Sequence, residues 1–202
     1  MVDKKQAHVT PKGVLVYPYL NTPDTYKNQS NYRADVRISK AEADKMIAKF
    51  LPMLEAYAEE EGVPILNPLP IKQEKDKDKK PLDTYLVCTK MKSSFKNRQG
   101  QITEMHPKVV DGKLQRVPRS VNIGGGTEAK VSFTVFPYVM DEAVIEDGQK
   151  TSRKVAGLSF RLQGVQVLNL VEGAAGSLGF EEDPEGYQQD FVEESGSGAE
   201  NY

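Results

Sequence analysis

Cysteine is nearly absent: Cys88 stands alone in 202 residues, which excludes an internal disulfide and suits a reducing compartment. Tryptophan is missing and histidine is limited to His8 and His106, so Cys and His alone cannot build a tetrahedral zinc site. No apolar run approaches the ~20 residues of a membrane-spanning helix, and MVDKKQAHVT carries no apolar core of a secretory signal; cytosol is the expected compartment. Cations are missing from one end. No Lys or Arg follows Arg161, while that stretch holds Glu172, Glu181, Glu182, Asp183, Glu185, Asp190, Glu193, Glu194 and Glu200. Setting these nine carboxylates aside leaves 27 basic against 20 acidic residues, so the net charge of −2 averages a body of about +7 and a segment of −9. A phosphate loop is lacking too: Gly124, Gly125 and Gly126 precede neither Lys-Ser/Thr nor a helical pattern, which makes them a turn or bulge.

What is present reads mainly as β-structure. Residues 123–140 turn on the three glycines and then alternate Val131, Phe133 and Val135 with Ser132, Thr134 and Phe136, the period of two of a strand. Residues 156–171 are its expected partner, and the charged run between them the long tip of a hairpin around Asp147 and Gly148. Residues 13–20 are expected as a first strand with Pro18 at an edge or bulge, residues 21–31 as a polar loop, and residues 32–38 as a second strand with Tyr32, Ala34, Val36 and Ile38 inward. Residues 1–11 read as loosely attached. Ser39 and Glu42 form a capping box ahead of Met46, Ile47, Phe50, Leu51, Leu54, Tyr57 and Ala58, an apolar helical face. Pro52 predicts a kink or restart in that helix, and Gly62 its end. Residues 63–82 read as a linker, and KQEKDKDKK as a solvated run in which Glu74, Asp76 and Asp78 offset the lysines. Residues 83–92 form a third strand with Tyr85, Val87, Thr89 and Met91 on one face. Residues 93–106 read as a loop, and PKVVDGKLQRV as a hairpin closing on Asp111 and Gly112.

Short strands separated by Gly and Pro turns, with little helix, predict a mainly β protein. The smallest fit is a five-stranded OB-fold barrel (the oligonucleotide-binding type) with additional strands and one interrupted helix between the second and third strands. The expected organisation is a domain over residues 1–172 and a flexible acidic C-terminal tail over 173–202.

Enzyme chemistry is thinly represented. Pro23-Asp24 with Glu128-Ala129-Lys130 resembles the elements of a metal-dependent nuclease, but such short elements recur by chance in a charged chain. Cys88 within a strand reads as a small core residue. Stronger is the interleaving of cations with aromatics that a single-stranded nucleic acid requires, phosphates taking the cations and bases the flat apolar faces. Arg33, Arg37, Lys90, Lys92, Lys96, Arg98 and Arg161 are the expected phosphate contacts, and Tyr85, Phe95 and Tyr138 the expected stacking residues. A protein-interaction module acting through the acidic tail is the alternative from another class.

Several blocks together carry a family resemblance. GGGT followed by AKVSFTVFPYV, the strand GLSFRLQGVQVLNLVE, the early TPKGVLVYPYLNTPDT and YRADVRIS, the central KVVDGKLQRVPRSVNIGGG and a carboxylate-rich tail ending in an aromatic occur in that order. This arrangement resembles the single-stranded DNA-binding proteins of tailed bacteriophages. The resemblance implies an OB-fold, coating of single-stranded DNA during phage replication and recombination in the cytoplasm of an infected bacterial host, no catalysis and no cofactor. It further implies contacts with phage replication proteins such as polymerase and helicase-primase through the tail, to which Asp190, Phe191, Glu193, Glu194 and Tyr202 belong, and it is compatible with a homodimer.

Overall fold

A computed structural model describes residues 6–27, 29–65, 69–146 and 149–172. The expected acidic tail, with Asp190, Phe191, Glu193, Glu194 and Tyr202, and the Asp147-Gly148 turn lie outside them. In chain order the strands are β1 (Ala7–Val9), β2 (Gly13–Tyr26), β3 (Gln29–Ser39), β4 (Ile71–Lys75), β5 (Pro81–Val87), β6 (Lys90–Lys92), β7 (Ser94–Lys96), β8 (Ile102–Glu104), β9 (Lys108–Val110), β10 (Glu128–Glu146) and β11 (Gln149–Asn169), with helix α1 (Lys40–Glu61) after β3.

The sheet closes into a ring. β2 pairs with β3, β3 with β5 and β6, β6 with β11, β11 with β10, and β10 back with β2. Every step is antiparallel except β6 to β11. Counting β5 and β6 as one bent strand, this is the five-stranded barrel expected from the sequence. Its lining is the set the alternation predicted: Tyr32, Ala34, Val36 and Ile38 on β3, and Val131, Phe133 and Val135 on β10, are all buried. At the centre the Phe133 and Phe160 rings stack with centroids 4.4 Å apart, and Phe50 of α1 packs against both; such aromatic pairs add ~0.5–1.5 kcal/mol beyond their buried area.

The helix starts as its capping box requires. Ser39 Oγ accepts from the Glu42 N–H, and a Glu42 carboxylate oxygen accepts from the Ser39 N–H at 3.2 Å. It ends at Gly62, whose φ of 65° is left-handed. Pro52 does not break it: the helix runs unbroken from Lys40 to Glu61. Pro52 itself is exposed, and Phe50 and Leu54, buried on either side, hold the helix to the barrel across the missing hydrogen bond.

Several other departures fall where half-buried and exposed residues follow one another without the steady inward-outward alternation that reveals a strand. Residues 21–31 are no loop but the end of the β2–β3 hairpin, in register at Asp24 with Asn31 and Tyr26 with Gln29. Part of the 63–82 linker is β4, paired with β5. Residues 93–106 contain the β7–β8 hairpin, and the expected long tip between β10 and β11 is a two-stranded ribbon whose register continues to Glu146 with Gln149. Nor is the N-terminus loose from residue 7 on. β1 pairs with β10, His8 is buried against Phe50 and Phe133, and Thr10 exchanges hydrogen bonds with Val131. The bulge expected at Pro18 is present, pairing skipping from Val16 to Tyr19.

Candidate nucleic-acid interface

Register brings distant residues into one line. Tyr19 of β2 pairs with Arg33 of β3, Arg33 with Lys90 of β6, Lys90 with Arg161 of β11, and Arg161 with Thr134 of β10. Side chains paired across neighbouring strands project from the same face, so three cations cross three adjacent strands on the outside of the barrel. Asn31 pairs with Lys92, which adds a cation one step along the same sheet.

An aromatic floor lies beside this row. Phe136 and Tyr138 are half-buried on the outer face of β10. The Arg161 guanidinium carbon sits 3.3 Å from the centroid of the Phe136 ring, and burial pulls the Arg161 pKa down from its ordinary value. Tyr138 pairs with Gly157 and lies over it; a Cβ at Gly157 would come within 2.5 Å of the Tyr138 ring. The glycine is what lets a tyrosine lie flat on the sheet at that point.

The cations are not equivalent. Arg33 reaches Asp35 at 3.0 Å and Asp24 at 3.4 Å. Arg37 makes a two-bond contact with Glu74 at 2.6 and 2.7 Å, which lowers the Glu74 pKa. By contrast Lys90, Lys92, Lys96 and Arg98 form no ion pair among the described residues. Asp35, between Arg33 and Arg37 on β3, is mostly buried; burial raises its pKa against the opposing pull of Arg33. Burial, reinforced by the Asp35 charge, pushes the neighbouring Cys88 thiol up to about 11, so it stays protonated near neutrality and is no nucleophile.

Phe95, Lys96 and Arg98 stand apart from the row, on the β7–β8 arm and its turn. Phe95 is 47% exposed. The arm leaves the barrel directly after Lys92, and it is fastened at its base where the Tyr32 hydroxyl meets His106 Nδ1 at 2.7 Å and Met105 N–H donates to Ser93 O. Tyr85 falls elsewhere: it pairs with Ile38 on the inward face and packs against the apolar core. Tyr85 is half-buried there, away from the Arg33–Lys90–Arg161 row. Phe136, which sequence reasoning did not single out, lies beside the row, and the signal for it was present, since the alternation already put it outward.

The nuclease elements do not converge. Asp24 faces Arg33 near the far end of β2, whereas Glu128 registers with Val14 near its start and pairs with Lys12. Among the described residues no three His, Cys, Asp or Glu side chains come together as metal ligands.

No protein-family profile and no curated protein matches the chain. Solved structures of similar fold include two phage proteins. The crystal structure of gp2.5, a single-stranded DNA-binding protein encoded by bacteriophage T7, aligns over 92% of this chain and 99% of its own, with 20% identity and a TM-score of 0.62. A C-terminally truncated single-stranded DNA-binding protein from bacteriophage Enc34 aligns over 84% of this chain and 90% of its own, with 16% identity and a TM-score of 0.52. At these identities the likeness is one of fold.

Proposed function

We propose that this protein binds and coats single-stranded DNA without catalysing a reaction. The observation that carries the proposal is the Arg33–Lys90–Arg161 row beside the Phe136 and Tyr138 rings, continued by Lys92 into an arm with exposed Phe95, Lys96 and Arg98. Phosphates of a single strand would follow the cations while bases stack on Tyr138, on Phe95 and on the Arg161 guanidinium that covers Phe136, each stacked base worth ~1–3 kcal/mol. The single-stranded DNA binding named for the two proteins of similar fold supports the same reading. Arg33 and Arg37 serve in it as supports whose charge is shared with carboxylates, and Lys90, Lys92, Lys96, Arg98 and Arg161 as the principal phosphate contacts.

The finer reading is a phage protein that works in the infected host's cytoplasm. It would keep template strands open for replication and recombination, its acidic tail, including Asp190, Phe191, Glu193, Glu194 and Tyr202, serving as the handle for polymerase or helicase-primase. A gel shift with labelled oligo-dT and a duplex of equal length, with Mg²⁺ added and withheld, tests the core of this. Retention of the single strand, weak duplex binding and an intact probe are expected. Absence of a shift at low salt overturns the proposal, and Mg²⁺-dependent cleavage replaces it with the nuclease.

A further inference from the structure

The connection between β9 and β10 roofs a cavity of 370 Å³, within the range of small-ligand sites. Its lining is apolar, including Leu20, Val109, Val117, Pro118 and Ile123, and its charged members are Lys108, Arg116 and Arg119, with no carboxylate among the lining residues. The walls are tied to the barrel. Asn21 spends its side-chain amide on them, donating to Arg119 O at 2.6 Å and Val121 O at 2.8 Å, while its oxygen accepts from the Ile123 N–H. On another side His106, next to Pro107, is held by the Tyr32 hydroxyl. A cavity braced by hydrogen bonds from two barrel strands is preformed, which lowers the ordering cost of filling it.

An apolar slot with a cationic rim fits a flat heterocycle attached to a phosphate. Its position fits the strand already proposed for the barrel face. Lys90 and Lys108 occupy successive places on the same edge of β11, opposite Arg161 and Gly164, and three residues of strand at ~3.3 Å each span about 10 Å. We propose that this cavity takes one unstacked nucleobase of the bound single strand, with the adjoining phosphates on Lys108, Arg116 and Arg119. The proposal rests on the single-stranded DNA reading and adds to it a place where the base itself is enclosed.

The rival occupant is the chain's own acidic segment. Glu172, the last described residue, bridges to Ile123 in the cavity wall. The two are separated by filling the cavity with Val117→Trp and measuring affinity, in the full-length protein, for a dT oligomer and for an abasic oligomer of the same length, which keeps the phosphates and lacks the bases. The wild type is expected to prefer dT over the abasic strand, and Val117→Trp to reduce that preference about tenfold while leaving abasic affinity unchanged. Should Val117→Trp not fold, Val121→Trp fills the same space. An unchanged dT preference in the filled variant overturns the base pocket while leaving single-strand binding intact. Tighter binding of both strands by the variant assigns the cavity to the acidic tail and also overturns it. If the wild type retains neither strand, the underlying DNA reading fails first.

Discussion

Arg161 and Phe136 are diagonal neighbours across β10 and β11, Arg161 opposite Thr134 and Phe136 opposite Ser159, and the guanidinium lies over the ring at 3.3 Å. The contact fixes a long, flexible cation in the plane of the barrel surface. Its side-chain entropy is therefore already spent before a phosphate or base arrives.

Removing either partner should be felt mainly in DNA binding. Arg161→Ala and Phe136→Ala are each expected to weaken oligo-dT affinity by ~1–3 kcal/mol, with the double variant losing less than the sum because the residues act as a unit. Arg161→Lys should restore charge but only part of the affinity, since an ammonium cannot lie flat on the ring. Fluorescence titration of the wild type, the two alanine variants and the double variant measures the coupling, and Arg161→Lys the share owed to charge.

Phe95 makes a second, independent test because it is exposed on the arm. Phe95→Ala is expected to cost ~1–3 kcal/mol of single-strand affinity and to leave the Tm nearly unchanged. A core phenylalanine cut to alanine would cost ~3–5 kcal/mol of stability instead, so a large fall in Tm would refute the surface role.

Much of the barrel was legible in the sequence, and the reason lies in its asymmetry of burial. The runs at Tyr32 to Ile38 and Val131 to Val135 each have one dry face and one wet face, and a period of two shows only there. β4, β7 and β8 have no such contrast. The site was legible as a list of residue types but not as an arrangement, since the Arg33–Lys90–Arg161 row exists only through pairings between β3, β6 and β11. One pairing could have been seen: Arg33, Asp35 and Arg37 alternate on a single strand, so Asp35 necessarily neighbours both arginines. The Arg37–Glu74 bond could not, because Glu74 reaches Arg37 only through the β4–β5 hairpin.

That bond gives a pH dependence of known sign. Glu74 has its pKa lowered from the ordinary 4.5, chiefly by the Arg37 hydrogen bonds. Its contribution is therefore complete above 4.5 and is lost as the pH falls through the lowered folded value. Asp35 works the other way: with its pKa raised by burial from 3.8, its stabilising share is present at low pH and is lost as the pH rises through the raised value. Glu74→Gln should lower stability by about 0.5–1 kcal/mol near neutrality and flatten the acid side of the stability profile. Asp35→Asn should remove the opposing trend. Urea titrations from pH 3 to about pH 7 of the three proteins check both signs.

The opposite charges of tail and body predict competition within one molecule. Carboxylates tethered to a basic body have a high effective concentration near it, so deleting residues 181–202 should tighten single-strand binding, most at low salt where attraction is least screened. The same deletion should abolish stimulation of replication partners, and Tyr202→Ala should weaken only the partner contact. Weaker DNA binding by the truncated chain at every salt concentration would exclude the competition.

The central claim, that cations of the barrel row and of the β7–β8 arm hold the phosphates of a single strand, is tested most directly by affinity for oligo-dT and for duplex measured against salt. With Lys90, Lys92, Lys96, Arg98 and Arg161 as the principal contacts, about five phosphates at ~0.7 each predict that log K falls with log salt at a slope near −3 to −4. The single strand should remain the tighter ligand throughout. A flat salt response, or equal affinity for the duplex, would contradict it.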